Sequence, residues 1–300
     1  MRYAIAIPQF YPDGSFDPGA FRDYLVRAEE AGYHSAWTQE AVFGRRPQLS
    51  PMEAMTFAAA CTDTLRLGCT VFVSTLHIPA QLAKSTASLD QLSRGRLEVG
   101  VGSGGKNRPW AAFGLDGARH LTRFTEGVEL IKKLWTQETV DHQGEFWQVS
   151  GAGLTPGPFQ KPHPPLWFGG SGPKALRSAV DLGTGFFGAG STPTAPFAEQ
   201  VRFVRSLNPS PGFEIAKRVY LAVDADAGRA RERINAELTS VYGTLPPAIE
   251  AAAIAGTPDD CVRELREVID AGAELILFTP LYDQAEHAEV IAKEIIPALG

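Results

Sequence analysis

Short apolar runs alternate with helical segments along almost the whole chain, and this alternation constrains the fold more than any other feature. The runs that read as strands are 3–7, 35–38, 65–73, 97–101, 166–168, 185–189, 219–223 and 275–278. Helix-start signals stand between them, such as Ser50-Pro51 and the Thr257-Pro258-Asp259-Asp260 capping box. Eight alternating units predict an α/β chain folded as a (β/α)8 TIM barrel with insertion loops. A doubly wound open sheet is the alternative, because periodicity does not distinguish a closed sheet from an open one.

The alternation is interrupted between about residues 138 and 165, where proline and glycine are dense. Thr139-Val140 and Phe146-Trp147 flank Gln143-Gly144 there, which predicts a small hairpin inside an insertion. The sequence contains no internal repeat and no linker. We therefore expect residues 1–300 to form one barrel domain.

Composition and charge exclude several classes of protein. The 300 residues are 44% hydrophobic and carry a formal net charge of -6, which is ordinary for a globular protein and argues against nucleic-acid binding. No run approaches the roughly 18 apolar residues of a membrane helix. The first strand is cut off by Pro8 and does not read as a signal peptide. The widely spaced Cys61, Cys69 and Cys261 indicate reduced thiols. We expect a cytoplasmic protein without nucleic-acid or membrane partners.

Residues 100–105 have the sequence GVGSGG, which matches the dinucleotide fingerprint G-x-G-x-x-G. The context does not fit a dinucleotide fold, because the preceding strand is the fourth of the chain and Pro109 prevents a helix from opening after the last glycine. The nearest acid, Asp116, lies in a loop. The glycines are therefore interpreted as positions where a flat ring can approach the backbone closely.

A second glycine-rich segment, Gly169-Gly170-Ser171-Gly172-Pro173, follows the next strand and precedes a helix. The free N–H groups at the start of that helix can hold a phosphate. Either segment alone is consistent with a tight turn, but together they favour a phosphorylated aromatic cofactor. The histidines form no H-x-H or H-E-x-x-H pattern, so we expect no metal site. A cofactor would then carry the chemistry of an enzyme of this kind.

Several short motifs follow one another in a recognisable order in the middle of the chain: Leu65-Arg66-Leu67-Gly68, Pro79-Ala80-Gln81-Leu82-Ala83, Leu89-Asp90-Gln91-Leu92-Ser93, Gly95-Arg96-Leu97 and Gly100-Val101-Gly102. Further motifs follow downstream: Arg123, Glu126, Leu134-Trp135-Thr136, Gly144, Pro164-Pro165-Leu166, Gly169-Gly170 and Gly256-Thr257-Pro258. In order and spacing, this series resembles the luciferase-like flavin and deazaflavin oxidoreductases. The resemblance implies a (β/α)8 barrel that binds reduced FMN or the deazaflavin F420 at the carboxyl ends of its strands.

The resemblance also implies which residues form the site. Thr70 and Val71 correspond to a strand bulge that contains a non-proline cis peptide bond in many relatives. The two glycine segments would pass beside the ring system and hold the phosphate, respectively: Gly102, Ser103, Gly104 and Gly105, and Gly169, Gly170, Ser171 and Gly172. Gln39 and Glu40 match polar positions after the second strand, where many relatives have an acid followed by histidine. Glu40 and His77 are the candidates for proton transfer.

F420 is favoured over FMN as the cofactor. Residues 36–41 resemble the F420-associated branch of the family. A group of cations in two loops would form a rim suited to the anionic tail of F420: Arg45, Arg46, Lys106 and Arg108. Sugar-phosphate dehydrogenases of this branch carry an acid just beyond the strand-four glycine. This chain has Ser103-Gly104 there, so a sugar phosphate is not expected as the substrate.

We therefore expect an F420-dependent oxidoreductase that transfers a hydride between the deazaflavin and an unidentified small organic substrate. The alternatives are an FMN-dependent monooxygenase that uses reduced flavin and O2, and a cofactor-binding protein without turnover. Phe43, His77, Trp110 and Phe113 are expected as walls of the substrate space. Besides the small-molecule substrate, the expected partners are a second copy of the chain and, for the FMN alternative only, a flavin reductase.

Overall fold

The computed structural model describes residues 1–11, 14–44, 46–105 and 110–300. Its strands are β1 (Arg2–Ala6), β2 (Ser35–Thr38), β3 (Arg66–Val73), β4 (Leu97–Gly102), β5 (Val140–Gln143), β6 (Gln148–Ala152), β7 (Leu166–Gly169), β8 (Gly185–Gly188), β9 (Glu214–Val223), β10 (Ala253–Gly256) and β11 (Leu275–Thr279). Its helices are α1 (Pro18–Glu30), α2 (Pro51–Cys61), α3 (Pro79–Leu92), α4 (His120–Thr136), α5 (Pro173–Leu182), α6 (Thr194–Ser206), α7 (Ala227–Tyr242), α8 (Pro247–Glu250), α9 (Pro258–Asp270), α10 (Gln284–Val290) and α11 (Ile296–Leu299).

Parallel strands close into a barrel in the order β1, β2, β3, β4, β7, β8, β9 and β11, and β11 pairs with β1. The (β/α)8 TIM barrel prediction is confirmed, and the open-sheet alternative is wrong. Several of the helices between the strands begin at side-chain caps. The Asp17 carboxylate accepts the N–H groups of Gly19 and Ala20 at the start of α1, and Thr257 and Asp260 form the predicted capping box of α9.

The structure contains a strand that the sequence did not predict, and it extends another. β10 pairs in parallel with the last residues of β9, outside the closed barrel. Its alanine-rich sequence has no strand-like run of branched residues, so the pattern does not indicate it. β9 begins at Glu214, five residues before the predicted start at residue 219. The sequence did not predict this first half because Lys217 and Arg218 interrupt the apolar run.

Apolar residues fill both sides of the barrel wall. The main core lies between strands and helices and includes Leu67, Val99 and Phe168. A smaller cluster fills the lower part of the barrel interior, where the ring centroids of Trp37 and Phe187 are 4.8 Å apart. Because this cluster closes the interior, space for a ligand remains at the carboxyl ends of the strands.

The interrupted segment contains the predicted hairpin, formed by antiparallel pairing of β5 and β6. Its turn is held by the Glu126 carboxylate of α4, which accepts the backbone N–H groups of Glu145, Phe146 and Trp147. Within the described ranges, no helix combines the length and apolar character that crossing a membrane would require.

Candidate active site

A cavity of about 660 Å³ opens at the carboxyl ends of the barrel strands. All of the predicted cofactor-binding residues except Gln39 line it: Thr70, Val71, Gly102, Ser103, Gly104, Gly105, Gly169, Gly170, Ser171 and Gly172. The ends of β3, β4 and β7 bring them together, although they are distant in the sequence. The structure therefore places the two glycine segments and the strand-three bulge around one space.

The bulge itself is present in β3. The peptide bond between Thr70 and Val71 is cis, as the resemblance implied, and the register with β4 shifts between Cys69 and Phe72. A Cβ at Gly102 would lie 2.6 Å from Val71 Cγ2, and a Cβ at Gly169 would lie 2.9 Å from Val71 Cγ1. These two glycines therefore make room for the Val71 side chain, and both also line the cavity, so the predicted place of Gly102 beside a ligand ring stays a prediction.

The outer glycines of both segments face open space. No described atom lies within 4 Å of a Cβ built at Gly105, and the same is true of Gly172 among the residues with assigned positions. Gly172 is also the N-cap of α5, with an extended backbone and no side-chain cap to its first turn within the described structure. The N–H groups of this first turn can therefore bind an anion.

Lys174 lines the cavity one residue beyond Pro173, at the start of α5. Its ammonium group adds a positive charge beside helix N–H groups that already favour an anion. Lys174 was not among the predicted site residues, although a lysine in the first turn after a glycine-rich strand end is a recognisable signal. Together, the α5 N-terminus and Lys174 form the part of the cavity best suited to a phosphate.

Gln39 lies on the floor of the barrel mouth, bordering the neighbouring cavities and not the 660 Å³ one. The Gln9 side chain accepts the Gln39 N–H at 2.7 Å and donates to the Gln39 carbonyl oxygen at 3.1 Å. The Gln39 side-chain oxygen accepts a hydrogen bond of 2.8 Å from Arg218 Nη1. Gln39 is therefore a fixed link between the loop after β2 and Arg218.

The two predicted proton-transfer residues contact each other. His77 Nε2 lies 2.7 Å from Glu40 Oε1, and Glu40 Oε2 accepts the Val73 N–H at 2.6 Å. The side chain of Glu40 is 6% exposed and that of His77 is 31% exposed. Neither lines the 660 Å³ cavity, and Glu40 borders a smaller cavity of about 190 Å³. The contact fastens the end of β3 next to the bulge, while a role in proton transfer stays a prediction.

The cavity wall opposite the bulge carries residues that the sequence analysis missed. β9 lies four strands from β3 in either direction around the barrel, and Arg218 and Tyr220 line the cavity from it. The guanidinium carbon of Arg218 is 4.9 Å from the centroid of the Tyr220 ring, and the Tyr220 hydroxyl lies 2.6 Å from that of Tyr242. Burial raises the pKa of Tyr242. Arg218 lies in the part of β9 that does not read as a strand, whereas Tyr220 lies in the predicted strand 219–223 and Tyr242 is the last residue of α7.

Lys217 is almost fully buried and points towards α6, where its amine lies 5.6 Å from the centroid of the Phe197 ring. Its amine donates to the carbonyl oxygens of Ala189 and Thr192, the latter at 2.8 Å, and so holds the loop after β8 that contributes to the cavity wall. Burial lowers the pKa of this amine to about 7. A neutral amine has two N–H donors, which matches the two carbonyl acceptors.

The predicted rim and walls are only partly in place. Arg46 forms an ion pair with Glu237 and donates to Ser240, so its charge is already compensated. The rim candidates Arg45, Lys106 and Arg108 lie outside the described residues. The predicted walls Phe43, Trp110 and Phe113 do not line the 660 Å³ cavity. Phe43 and Phe113 contact each other instead, with ring centroids 5.9 Å apart.

Comparisons with known proteins show the family and the fold of this chain. A family model described as luciferase-like monooxygenase matches residues 2–275. A 5,10-methylenetetrahydromethanopterin reductase of Archaeoglobus fulgidus is 25% identical, with 100% of both chains covered. An F420-dependent glucose-6-phosphate dehydrogenase of Beutenbergia cavernae is 28% identical over 95% of this chain and 94% of the relative. The crystal structure of monooxygenase RslO1 from Streptomyces bottropensis has the same fold, with a TM-score of 0.87 at 23% identity over 100% of both chains.

Proposed function

The chain belongs to the luciferase-like monooxygenase family and is an oxidoreductase, and we propose that it transfers a hydride between the deazaflavin F420 and a small organic substrate. The observation that carries this proposal is the 660 Å³ cavity, which joins the bulge of β3, two open glycines and the N-terminus of α5 in one space. Its volume is within the range of pockets that bind drug-sized ligands and cofactors.

The residues present fit a phosphorylated ring cofactor. The N–H groups of the first turn of α5 and the Lys174 ammonium would hold the phosphate. The bulge at Thr70-Val71 and the open position beside Gly105 would border the ring. When bound, a deazaflavin supplies two-electron hydride chemistry, which the protein's own side chains do not provide.

Glu40 and His77, which lie beside the β3 bulge and not in the lining of the 660 Å³ cavity, are the proposed proton-transfer pair. Glu40 holds the end of β3 through the Val73 N–H and also binds the His77 imidazole. His77 is the proposed group for moving a proton, because its imidazole is partly exposed and its Nε2 faces the Glu40 carboxylate.

The choice of F420 over FMN is supported by the F420-dependent relative and by the likeness of residues 36–41 to the F420-associated branch. A monooxygenase that uses reduced FMN and O2 is the second candidate, and the description of the matching family favours it.

Titration of the purified protein with F420 and with FMN, each followed by fluorescence, tests the proposal. We expect F420 to bind at least about tenfold more tightly than FMN, a difference of roughly 1.4 kcal/mol. Tighter binding of FMN, together with O2-dependent turnover, would replace the proposal with the second candidate. A failure to bind either cofactor would reject both.

A further inference from the structure

We propose that Arg218 binds a carboxylate group of the substrate, so that the substrates of this enzyme are small organic carboxylates. The inference rests on the proposed function and concerns the wall of the cavity opposite the bulge in β3. The described contacts of the Arg218 guanidinium are to neutral groups.

The guanidinium group of Arg218 lies in the mouth of the barrel. On β9, Ala216 packs in the lower interior cluster, and Arg218 is the next residue on the same face, directly above it. Arg218 borders both the 660 Å³ cavity and the smaller space beside Gln9 and Gln39. A cation at this depth sits in the barrel mouth, within reach of a ligand that lies across the cavity from Val71.

The described hydrogen bonds of Arg218 use only part of its donors. Arg218 Nε donates to Thr279 Oγ1 at 3.2 Å and Nη1 donates to the Gln39 side-chain oxygen at 2.8 Å. Both acceptors are neutral, and within the described part of the chain no carboxylate lies within ion-pair distance of this guanidinium. Nη2 has no hydrogen-bond acceptor among the described residues. The group is therefore held in orientation but retains unused donors and an uncompensated charge.

The unused donors and the charge of Arg218 determine which chemical group it can bind. A partly buried cation is stabilised by an anion that also accepts its hydrogen bonds, and the planar guanidinium matches a carboxylate in shape. The adjacent Tyr220 hydroxyl, in contact with the Tyr242 hydroxyl, offers a further polar contact. A single guanidinium among neutral groups suits one negative charge better than the two charges of a phosphate monoester.

The positive charges of the cavity lie at two places, which supports a substrate site separate from the phosphate site. Apart from Arg218, Lys174 is the other Lys or Arg side chain among the described lining residues, and it lies at the α5 end. Aspartate and glutamate are absent from the described lining. The two cations therefore mark two places for anions: the cofactor phosphate near Lys174 and the substrate carboxylate near Arg218.

Calorimetric titration of benzoate and of benzamide into the F420-loaded protein at low salt tests this assignment. The two probes have similar shapes and differ in charge. We expect benzoate to bind at least about tenfold more tightly than benzamide, and also more tightly than phenyl phosphate. In the R218M variant, the preference for benzoate over benzamide should disappear, while F420 affinity stays within about threefold of wild type. The R218K variant should retain part of the preference because it keeps the charge but loses the planar fork.

Lys174→Met is the matched control, since it removes the other cation of the same cavity. It should weaken F420 binding and leave the benzoate preference of the loaded protein intact. Equal binding of benzoate and benzamide to the wild type overturns the inference. Loss of F420 affinity in R218M as large as the loss for benzoate also overturns it, because the guanidinium would then belong to the cofactor site.

Failure of the proposed function can be recognised separately. If the wild type does not bind F420, the benzoate and benzamide titrations are run on the cofactor-free protein, where a charge preference that depends on Arg218 would still support the anion site. Circular dichroism and thermal unfolding of R218M establish that the variant is folded, and R218K provides the measurement if it is not.

Discussion

The glycine-rich ends of β4 and β7 have similar compositions but use their glycines for different purposes along their length. At the end of β4, a Cβ at Gly100 would lie 2.1 Å from the Cys69 carbonyl oxygen, whereas Gly105 faces open space within the described structure. The inner positions are thus required by the protein's own backbone, and the outer position borders the cavity. A motif of glycines therefore does not by itself mark a ligand site.

The end of β7 repeats this inner-to-outer change with one difference. Gly169 faces Val71, as Gly102 does from β4. Gly170 has a φ of +144° and a built Cβ 2.7 Å from Ala175, so a side chain there would disturb the backbone whether or not a ligand binds. Gly172 then opens helix α5, whereas the described residues directly after β4, 103–105, are not helical. The presence of helix N–H groups is what distinguishes an anion site from a ring-facing loop.

The largest effect is expected at Gly100. The G100A variant places a methyl group against the backbone of β3, so strands must separate, and we expect a loss of about 3 kcal/mol or more in the free energy of unfolding. G105A is the matched control in the same motif and should change this free energy by no more than about 0.5 kcal/mol. Urea unfolding measures both, and similar losses in the two variants would contradict the distinction between inner and outer glycines.

A second effect concerns the wall next to the β7 end, which rests on Lys217. The pKa of this amine is about 7 in the folded protein, and an unfolded lysine has a pKa of about 10.4. Between these values the unfolded chain binds a proton that the folded protein does not, so the free energy of unfolding rises with pH, by at most about 1.4 kcal/mol per pH unit. Below pH 7 both states are charged, and this dependence vanishes.

The K217M variant lacks this titration but also leaves the Ala189 and Thr192 carbonyl groups without their donor. The variant should be less stable than the wild type at pH 8, and the difference should increase between pH 7 and pH 9. Chemical unfolding at several pH values measures it. A difference that is independent of pH would show that the amine keeps its proton in the folded state.

The sequence predicted the barrel well because apolar runs and helix caps are local signals that the fold did not override. It placed Thr70, Val71 and the two glycine segments at one site because their family motifs are specific. It missed Lys217 and Arg218 because the first half of β9 carries charges that become buried or enclosed only when the barrel closes. It missed Tyr220, although that residue lies in the predicted strand 219–223, because an apolar run does not show which of its residues face the cavity. Nor did it distinguish packing glycines from open ones, since that difference depends on Val71 reaching across from β3.

The third effect concerns Gly172 at the β7 end. No described atom lies within 4 Å of a Cβ built at this position, and the backbone there is extended, so we expect the G172V variant to fold. Its side chain would fill the space in front of the α5 N–H groups and should lower the affinity for F420 by about tenfold or more, roughly 1.4 kcal/mol. Fluorescence titration measures this. Unchanged affinity for both F420 and FMN would mean that the phosphate is bound elsewhere.

The smallest effect on binding is expected at Gly105, the open end of the β4 segment. In the G105L variant the leucine side chain can extend towards the ring side of the cavity, while the phosphate end stays bound at α5. Affinity for F420 should therefore change by less than about threefold, but hydride transfer should slow, because the ring no longer rests in the reacting position. The rate of change of F420 absorbance with a turnover substrate measures transfer, and G105A serves as the control that adds no bulk. If G105L lost binding as severely as G172V, the two strand ends would share one function, and the β4 segment would have to be assigned to the phosphate as well.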